Sequence, residues 1–369
     1  MTDSLRITDG DWTGREIAQQ PDVWTEALAN LDRVRPALEA FLAPLLAQDD
    51  LRIILTGAGS SAFVGRTAAP VLTRALDRLV EAIATTDLVA APLDYLLPRK
   101  PTLLVSFGRS GDSPESVAAV KLADQLVENC WHLTISCNPA GALALHARDN
   151  SRSFSLLMPT ATLDRSFAMT SSFSSMLLTS IAAFAPDAAQ AERTIALART
   201  LLADPAREID AAIALGFERI AFLGSGALSG IATEAALKML ELSSGRIDCY
   251  ADTPLGFRHG PKFVLDERTL VVMLDSIEPY THDYDDDLAR EVTQDGRALQ
   301  VIRLGELPYL LGAEISDVWL TLIYLIWCQR LARRHALALN IDPDSPSADG
   351  QVNRVVQGVT IYAWPDRQP

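Results

Sequence analysis

Three charges on one predicted helix carry the residue types that acid–base chemistry needs. The segment from Ala227 to Leu242 is apolar nearly all round, and its charges are Glu234, Lys238 and Glu241. Their spacing places them on one face of the helix. Because burial of an unpaired carboxylate is costly, that face must meet solvent, an ion partner or a wet cleft. On this helix alone, a solvated edge with one Glu–Lys pair is an equally good interpretation.

The loop that follows favours the chemical interpretation. Its sequence FRHGPK, residues 257–262, brings the imidazole of His259 together with two cations. Histidine is the side chain best suited to proton transfer near neutral pH. A short apolar strand at 219–223 and a Gly-Ser-Gly turn precede the helix. We therefore interpret residues 224–262 as the acid–base half of a sugar-phosphate site.

A loop in the first half of the chain has the donors that a phosphate dianion needs. The sequence GRSGDSPE, residues 108–115, follows a predicted strand, and Ser113 is at the N-cap position of the next helix. The cap requires one hydroxyl, so Arg109 and Ser110 are surplus donors. Charge-assisted hydrogen bonds from such a loop bind a phosphate strongly. The loop therefore predicts a monophosphate site.

A glycine turn at residues 56–62, TGAGSSA, joins the first predicted strand to a helix. Glycines allow a tight turn at Gly59, and the new helix offers free N–H groups to an anion. The turn also fits the dinucleotide fingerprint GxGxxA, so a nicotinamide enzyme is a rival interpretation. Its acidic partner would have to be Asp77 or Glu81.

Three elements recur at one offset of 167 residues, which indicates duplication of an α/β unit. They are Gly59 and Gly226, the strands at Thr102 and Thr269, and the strands at His132 and Leu299. Strands that alternate with helices predict an α/β fold with two doubly wound parallel sheets and helices on both faces. The second copy reads DSIEPYTHDYDDD at 275–287, which would repel a phosphate. We therefore expect one phosphate site per chain.

These elements divide the chain into four predicted segments. Residues 1–46 form an N-terminal helical segment, 47–200 the first α/β domain with the phosphate loop, 201–345 the second with the acid–base residues, and 346–369 a C-terminal tail over the active site. Helical patterns span about 166–185 and 189–215. The apolar stretch Val318–Cys328 is either core of the second domain, which we favour, or part of a subunit interface.

Composition excludes several classes of partner. The chain has 369 residues with 49% hydrophobic and 21% charged, and a net charge of −15. Nucleic acid and anionic membranes need a basic face, so we expect neither as a partner. The four cysteines are scattered without metal-ligand spacing, so neither a zinc site nor a disulfide framework is indicated. The N-terminus has no basic or apolar leader pattern and no apolar run is long enough for a membrane span, so we expect a cytoplasmic protein.

Together these motifs resemble the double sugar-isomerase (SIS) domain proteins, the fold of the isomerase half of glucosamine-6-phosphate synthase. The chain is most similar to a bacterial branch, the galactosamine-6-phosphate deaminases, long described as tagatose-6-phosphate ketose/aldose isomerases. The segments that carry this similarity are EIAQQPDVW (16–24), SFGRSGDSPES (106–116), DTPLGFRHGPK (252–262) and VNRVVQGVTIY (352–362).

The resemblance implies roles for particular residues. Substrate and phosphate contacts are implied for Ser60, Ser61, Arg109, Ser110 and Ser113. Glu241 matches the proton-shuttling glutamate, and Lys238 matches a lysine near the substrate. His259 matches a ring-opening histidine, which relatives take from the neighbouring subunit. Where the synthase has a C-terminal lysine this chain has Gln357, which leaves Arg354 to supply a cation.

The leading functional hypothesis is conversion of galactosamine 6-phosphate to tagatose 6-phosphate with loss of ammonia, without a metal or organic cofactor. A carboxylate in an apolar pocket has the raised pKa that such a base requires. The alternatives are a ketose/aldose isomerase that releases no nitrogen, and a non-catalytic sugar-phosphate sensor. Gly59 and Ser110 are expected at strand ends of the first copy and Glu241 just past a strand end of the second, and ligands of such sheets bind outside those ends. We expect a homodimer whose active site is shared between subunits.

Overall fold

The structure of the chain is a computed structural model that describes residues 11–347, 350, 352–356 and 358–365. These residues form two compact units that interleave along the chain. The first-sheet unit comprises residues 26–163, 175–185 and the described residues from 350 onward. The second-sheet unit comprises 11–25, 164–174 and 186–347.

The described residues contain nine strands and fourteen α-helices. The strands are β1 (Arg52–Thr56), β2 (Val80–Ala82), β3 (Thr102–Gly108), β4 (Cys130–Ser136), β5 (Ser153–Leu157), β6 (Arg219–Gly224), β7 (Asp248–Asp252), β8 (Thr269–Leu274) and β9 (Gln300–Arg303). The helices are α1 (Trp12–Ala18), α2 (Gln20–Leu46), α3 (Ser60–Leu76), α4 (Thr85–Ala90), α5 (Pro92–Tyr95), α6 (Pro114–Leu126), α7 (Ala142–Asp149), α8 (Ser171–Phe184), α9 (Ala188–Ala203), α10 (Arg207–Ala214), α11 (Ala227–Leu242), α12 (Pro254–Phe257), α13 (Pro279–Asp295) and α14 (Asp317–Ala338).

The first sheet has five parallel strands in the order β2-β1-β3-β4-β5. Its central strand β3 is buried along its whole length, as the run of apolar residues in a parallel strand covered on both faces requires. The second sheet repeats this order with four parallel strands, β7-β6-β8-β9. The predicted α/β class with two parallel sheets is confirmed.

Most predicted elements are confirmed, and three boundaries are wrong. The second strand, which the apolar pattern predicts over residues 80–84, ends at Ala82. The predicted helix at 189–215 is two helices, because Pro205 and the left-handed Ala206 (φ 56°) interrupt it. The helix predicted from 166 begins at Ser171, because the carboxylate of Asp164 accepts hydrogen bonds from the backbone N–H groups that open it.

The long helix α14 is the centre of the second-sheet unit. Every residue from Val318 to Cys328 is at most 7% exposed within a single chain. The core interpretation of this stretch is therefore confirmed over the interface interpretation. Helix α9, which lies in the predicted 47–200 segment, packs against α14 in this unit. No helix in the described residues combines the length and apolar character needed to cross a bilayer.

Candidate active site

The loop after β3 presents a buried cation beside two serines. Arg109 is 6% exposed, and its Nη2 donates a hydrogen bond to the carbonyl oxygen of Arg354 at 3.0 Å. Ser113 is at the N-cap of α6 as predicted, but its hydroxyl makes no capping hydrogen bond. The helix therefore does not use this hydroxyl, which leaves it to serve a ligand of the loop.

The same loop is held in place by the connection between β4 and α7. Ala142 N donates to Asp112 Oδ1 at 2.8 Å, and Asn138 Nδ2 donates to the carbonyl oxygen of Ser110 at 2.9 Å. A Cβ at Gly141 would lie 2.2 Å from that carbonyl oxygen, so only glycine permits the approach. The loop is thus positioned before any ligand binds.

The glycine turn emerges at the same sheet edge as this loop. Strands β1 and β3 are parallel neighbours with Thr56 opposite Ser106. Their carboxyl ends therefore meet at one edge, where ligands of such sheets bind. Ser60 and Ser61 open α3 there and are each 5% exposed. The five predicted phosphate and sugar contacts of the first half, Ser60, Ser61, Arg109, Ser110 and Ser113, lie at this edge.

The C-terminal tail belongs to the same unit. The carbonyl of Arg354 contacts Arg109, while its side chain is exposed. Further along, Trp364 packs against the buried cluster that includes Leu88 and Leu96. The tail therefore contacts the phosphate loop through a backbone carbonyl group, not through the side chain of Arg354. Gln357, where the family has lysine, lies outside the described residues.

The acidic residue that a dinucleotide site requires is engaged elsewhere. Glu81 forms an ion pair with Arg52, whose Nη2 lies 2.9 Å from Glu81 Oε1. Asp77 is the left-handed C-cap residue of α3. Since Glu81 pairs with Arg52 and Asp77 lies at the end of α3 farthest from the turn, the residues of this turn do not fit the nicotinamide interpretation.

The three charges of α11 form one cluster. Lys238 Nζ forms an ion pair with Glu241 and lies 3.5 Å from Glu234 Oε1. Glu234 and Lys238 are buried, whereas the side chain of Glu241 is 23% exposed. The interpretation of the stripe as a solvated edge is therefore wrong. Burial of Glu234 and Lys238 leaves Glu241 as the member that reaches solvent.

The expected position of Glu241 at a strand end is also wrong. Helix α11 begins directly after β6, but Glu241 lies in its last turn. Sixteen residues of helix span about 24 Å, so Glu241 lies at the opposite end of α11 from the carboxyl end of β6. The helical period predicted which residues share a face, but not where along the helix the site lies.

The histidine loop is anchored by its two cations. Arg258 Nε donates to Glu291 Oε2 at 2.7 Å, and Lys262 forms ion pairs with Glu291 and Asp295. Hydrogen bonds from Lys262 and Arg258 lower the pKa of Glu291. Both cations that accompany the imidazole in the loop therefore pair with carboxylates of α13. His259 itself is exposed.

Glu16 and Asp164 are functional candidates that the sequence analysis missed. Glu16 is 4% exposed and accepts hydrogen bonds from the backbone N–H groups of Arg165 and Ser166. Burial and the charge of Asp164 raise the pKa of Glu16 to about 7. Asp164 in turn accepts from Thr170 N at 2.8 Å. The available signal was a glutamate in the first motif of family resemblance, EIAQQPDVW.

In the second sheet, carboxylates of the chain occupy the loop that corresponds to the phosphate loop. Ile277 N donates to Asp317 Oδ1 at 2.8 Å, and Ser276 N donates to Asp285 Oδ2 at 2.8 Å. Burial raises the pKa of Asp285 to about 6. The N–H groups that would bind a phosphate here are therefore already satisfied.

Sheet order and site define the class of protein. Residues 45–185 match the family model described as SIS domain. The chain is 46% identical over 375 residues to D-galactosamine-6-phosphate deaminase AgaS of Escherichia coli, with 96% of each chain covered. It is 45% identical to the protein of that name from Shewanella sp. ANA-3, covering 96% of this chain and 92% of the relative.

Solved structures of related proteins have the same fold as this chain. The tagatose-6-phosphate ketose/aldose isomerase of Escherichia coli superposes with a TM-score of 0.87 at 43% identity, over 96% of this chain and 97% of that one. The C-terminal domain of glucosamine-fructose-6-phosphate aminotransferase from Francisella tularensis, at 18% identity over 93% and 99% of the chains, shares the fold with a TM-score of 0.72. The chain belongs to the AgaS family of SIS-domain proteins.

Proposed function

We propose that this chain is an amino-sugar-phosphate deaminase that converts galactosamine 6-phosphate and water to tagatose 6-phosphate and ammonia. The observation that carries the proposal is the match over 96% of its length to the deaminase of Escherichia coli at 46% identity. The buried Glu234–Lys238–Glu241 cluster supports it, because deamination requires a positioned carboxylate base.

In the proposed reaction His259 relays the proton to the ring oxygen as the sugar opens to the aldehyde. Glu241 then removes the proton from C2 and returns it to C1. One amine proton passes to O1, and the double bond shifts from the C1 carbonyl to C2, which converts the amine at C2 into an imine. Water adds to this imine and ammonia leaves, which gives the 2-ketose. The ion pair with Lys238 orients Glu241 as the base.

The phosphate is held by the loop after β3. Arg109 supplies a buried cation, and Ser110 and Ser113 supply hydroxyls. The Gly59 turn contributes backbone N–H groups, and Ser60 and Ser61 contact the sugar. The carbonyl oxygen of Arg354 accepts a hydrogen bond from Arg109 in this loop. In the proposed site, the side chain of Arg354 supplies the additional cation in place of the family lysine. Charge-assisted bonds of this kind are about twice as strong as neutral ones.

We further propose a homodimer in which His259 serves the partner's site. His259 is exposed, and apolar side chains four residues to either side of it are exposed as well, Phe263 to 88% and Leu255 to 46%. We infer that these apolar side chains contribute to the subunit interface. The ion pairs to Glu291 keep the loop in place for such docking. A charged sugar phosphate does not cross a membrane freely, so we place the reaction in the cytoplasm.

A substrate panel tests the activity. Ammonia and ketose are measured with galactosamine 6-phosphate, glucosamine 6-phosphate, N-acetylgalactosamine 6-phosphate, galactose 6-phosphate and tagatose 6-phosphate. We expect ammonia and ketose in equal amounts, with galactosamine 6-phosphate the best substrate. Interconversion of galactose 6-phosphate and tagatose 6-phosphate without ammonia would instead establish the isomerase that the names of the solved structures describe. Binding without turnover of any member would establish a sensor.

A further inference from the structure

We propose that Asp124, Cys130 and His132 form a divalent-metal site suited to zinc in the first-sheet unit. One carboxylate oxygen, the thiol sulfur and one ring nitrogen of these residues lie within 4.8 Å of one another. His132 Nε2 is 2.8 Å from Asp124 Oδ1. Within the described residues this is the one group of three such ligands. Sulfur, imidazole and carboxylate are the ligands that zinc takes in proteins.

The fold brings these ligands together from two elements. Cys130 and His132 are two residues apart on β4, so their side chains lie on the same face of the sheet. Asp124 lies in the last turns of α6. Cys130 and His132 are 3% and 1% exposed, whereas the side chain of Asp124 is 38% exposed. The group is therefore packed on the sheet side and open to solvent at the carboxylate, which gives an ion an entry path.

The distances require only small movements. Zinc bonds of about 2.0–2.3 Å place neighbouring ligand atoms roughly 3.3–3.8 Å apart around a tetrahedral ion. His146 Nε2 lies 3.0 Å from Asp124 Oδ2, and its ring meets that of His132 edge-on with centroids 5.2 Å apart. His146 is 30% exposed, so it or a water molecule completes the coordination.

Metal binding at this group releases a proton. Zinc binds cysteine as the thiolate, so the thiol proton of Cys130 passes to solvent when the ion binds.

The site lies away from the phosphate loop. Cys130 is opposite Thr102 at the start of β3, whereas Gly108, where the loop begins, is opposite Ser136. Six residues of strand span about 20 Å. The ion therefore binds near the amino ends of the strands, whereas the phosphate loop lies at their carboxyl ends. Its effect is to join α6 to β4, and it has no role in the proposed reaction.

Cobalt and zinc binding test the site. Chelator-treated protein is titrated with Co²⁺ and then with Zn²⁺. We expect one Co²⁺ per chain with a thiolate-to-cobalt charge-transfer band that Zn²⁺ abolishes. Asp124→Asn should weaken Zn²⁺ binding by more than the roughly 10–100-fold cost of losing an outer-shell partner. Cys130→Ser should remove the band, whereas Cys249→Ser, a second cysteine outside the group, should keep it.

Folding controls keep the result decisive. Circular dichroism of each metal-free variant checks that it is folded, and because Asp124 is largely at the surface, Asp124→Asn supplies the test if Cys130→Ser does not fold. Zn²⁺ should raise the unfolding temperature of the parent chain but not that of Asp124→Asn. Absence of stoichiometric binding, a band that survives Cys130→Ser, or equal Zn²⁺ affinity of Asp124→Asn and parent would each overturn the proposal.

Discussion

Gly59 and Gly226 lie 167 residues apart and have the same backbone conformation, with φ of 57° at both and ψ of −129° and −126°. Each connects the end of a parallel strand to a helix. Side chains with a Cβ rarely adopt this conformation, so both copies of the unit keep glycine for the same steric reason. The duplication inferred from sequence thus extends to individual dihedral angles.

Substitution of Gly226 should destabilise the fold through backbone strain. A Cβ at this position would meet no atom within 4 Å, so Gly226→Ala changes the backbone energy alone. We expect a loss of about 1–3 kcal/mol in the free energy of unfolding. Urea titration measures it, with Ser225→Ala as the neighbouring control. Equal stability of the two variants would show that the turn tolerates alanine.

Glu241→Gln should abolish turnover and keep the fold. The variant has the same shape but cannot take the C2 proton, so kcat should fall by about 10²–10⁴-fold. Ammonia release from galactosamine 6-phosphate measures the loss, and Glu267→Gln, at an exposed position, is the matched control. Near-parental rates in Glu241→Gln would remove Glu241 from the mechanism.

Glu16 should make stability decrease as pH rises. Its pKa is raised from 4.5 to about 7, so the folded chain binds the proton more tightly than the unfolded chain. This stabilisation is full below about pH 4.5 and is lost as pH rises through about 7, a change of roughly 3 kcal/mol.

Glu16→Gln, which imitates the neutral form, should remove that dependence. The parent loses the contribution of Glu16 as pH rises, whereas the variant does not. We therefore expect the unfolding temperature of the variant minus that of the parent to be larger at about pH 8 than at about pH 5. Glu26→Gln, at an exposed position, should follow the parent at both pH values. A constant difference between Glu16→Gln and the parent would mean that Glu16 does not titrate in this range.

Mixed dimers should locate His259. If His259 acts in the partner's site, Glu241→Gln and His259→Ala are each inactive alone, but a mixed dimer contains one intact site. Random exchange of subunits should then restore about a quarter of parental activity. Differently tagged subunits, isolated as mixed pairs, confirm the exchange. Mixed pairs that stay inactive would assign His259 to its own chain.

The sequence by itself determined the local structure and the residue types of the site. Apolar runs of strand length between helical patterns predicted two parallel sheets, because burial on both faces requires such runs. The helical period of α11 placed Glu234, Lys238 and Glu241 on one face. Gly260 and Pro261 indicated that His259 lies in a loop. The surplus donors of the loop at Arg109 indicated an anion site. Strand pattern, helix face and loop composition could be predicted because each depends only on residues that are neighbours in the chain.

Only the tertiary structure decided which partners those residues have. The cations of the histidine loop pair with Glu291, and the carboxylate of Glu16 accepts from residues 165 and 166. Cys130 and His132 meet Asp124, although no ligand spacing in the sequence marked them. Each contact joins groups from different segments of the chain, so it depends on how sheets and helices pack. Pattern and propensity report only on the local chain, so they do not contain this information.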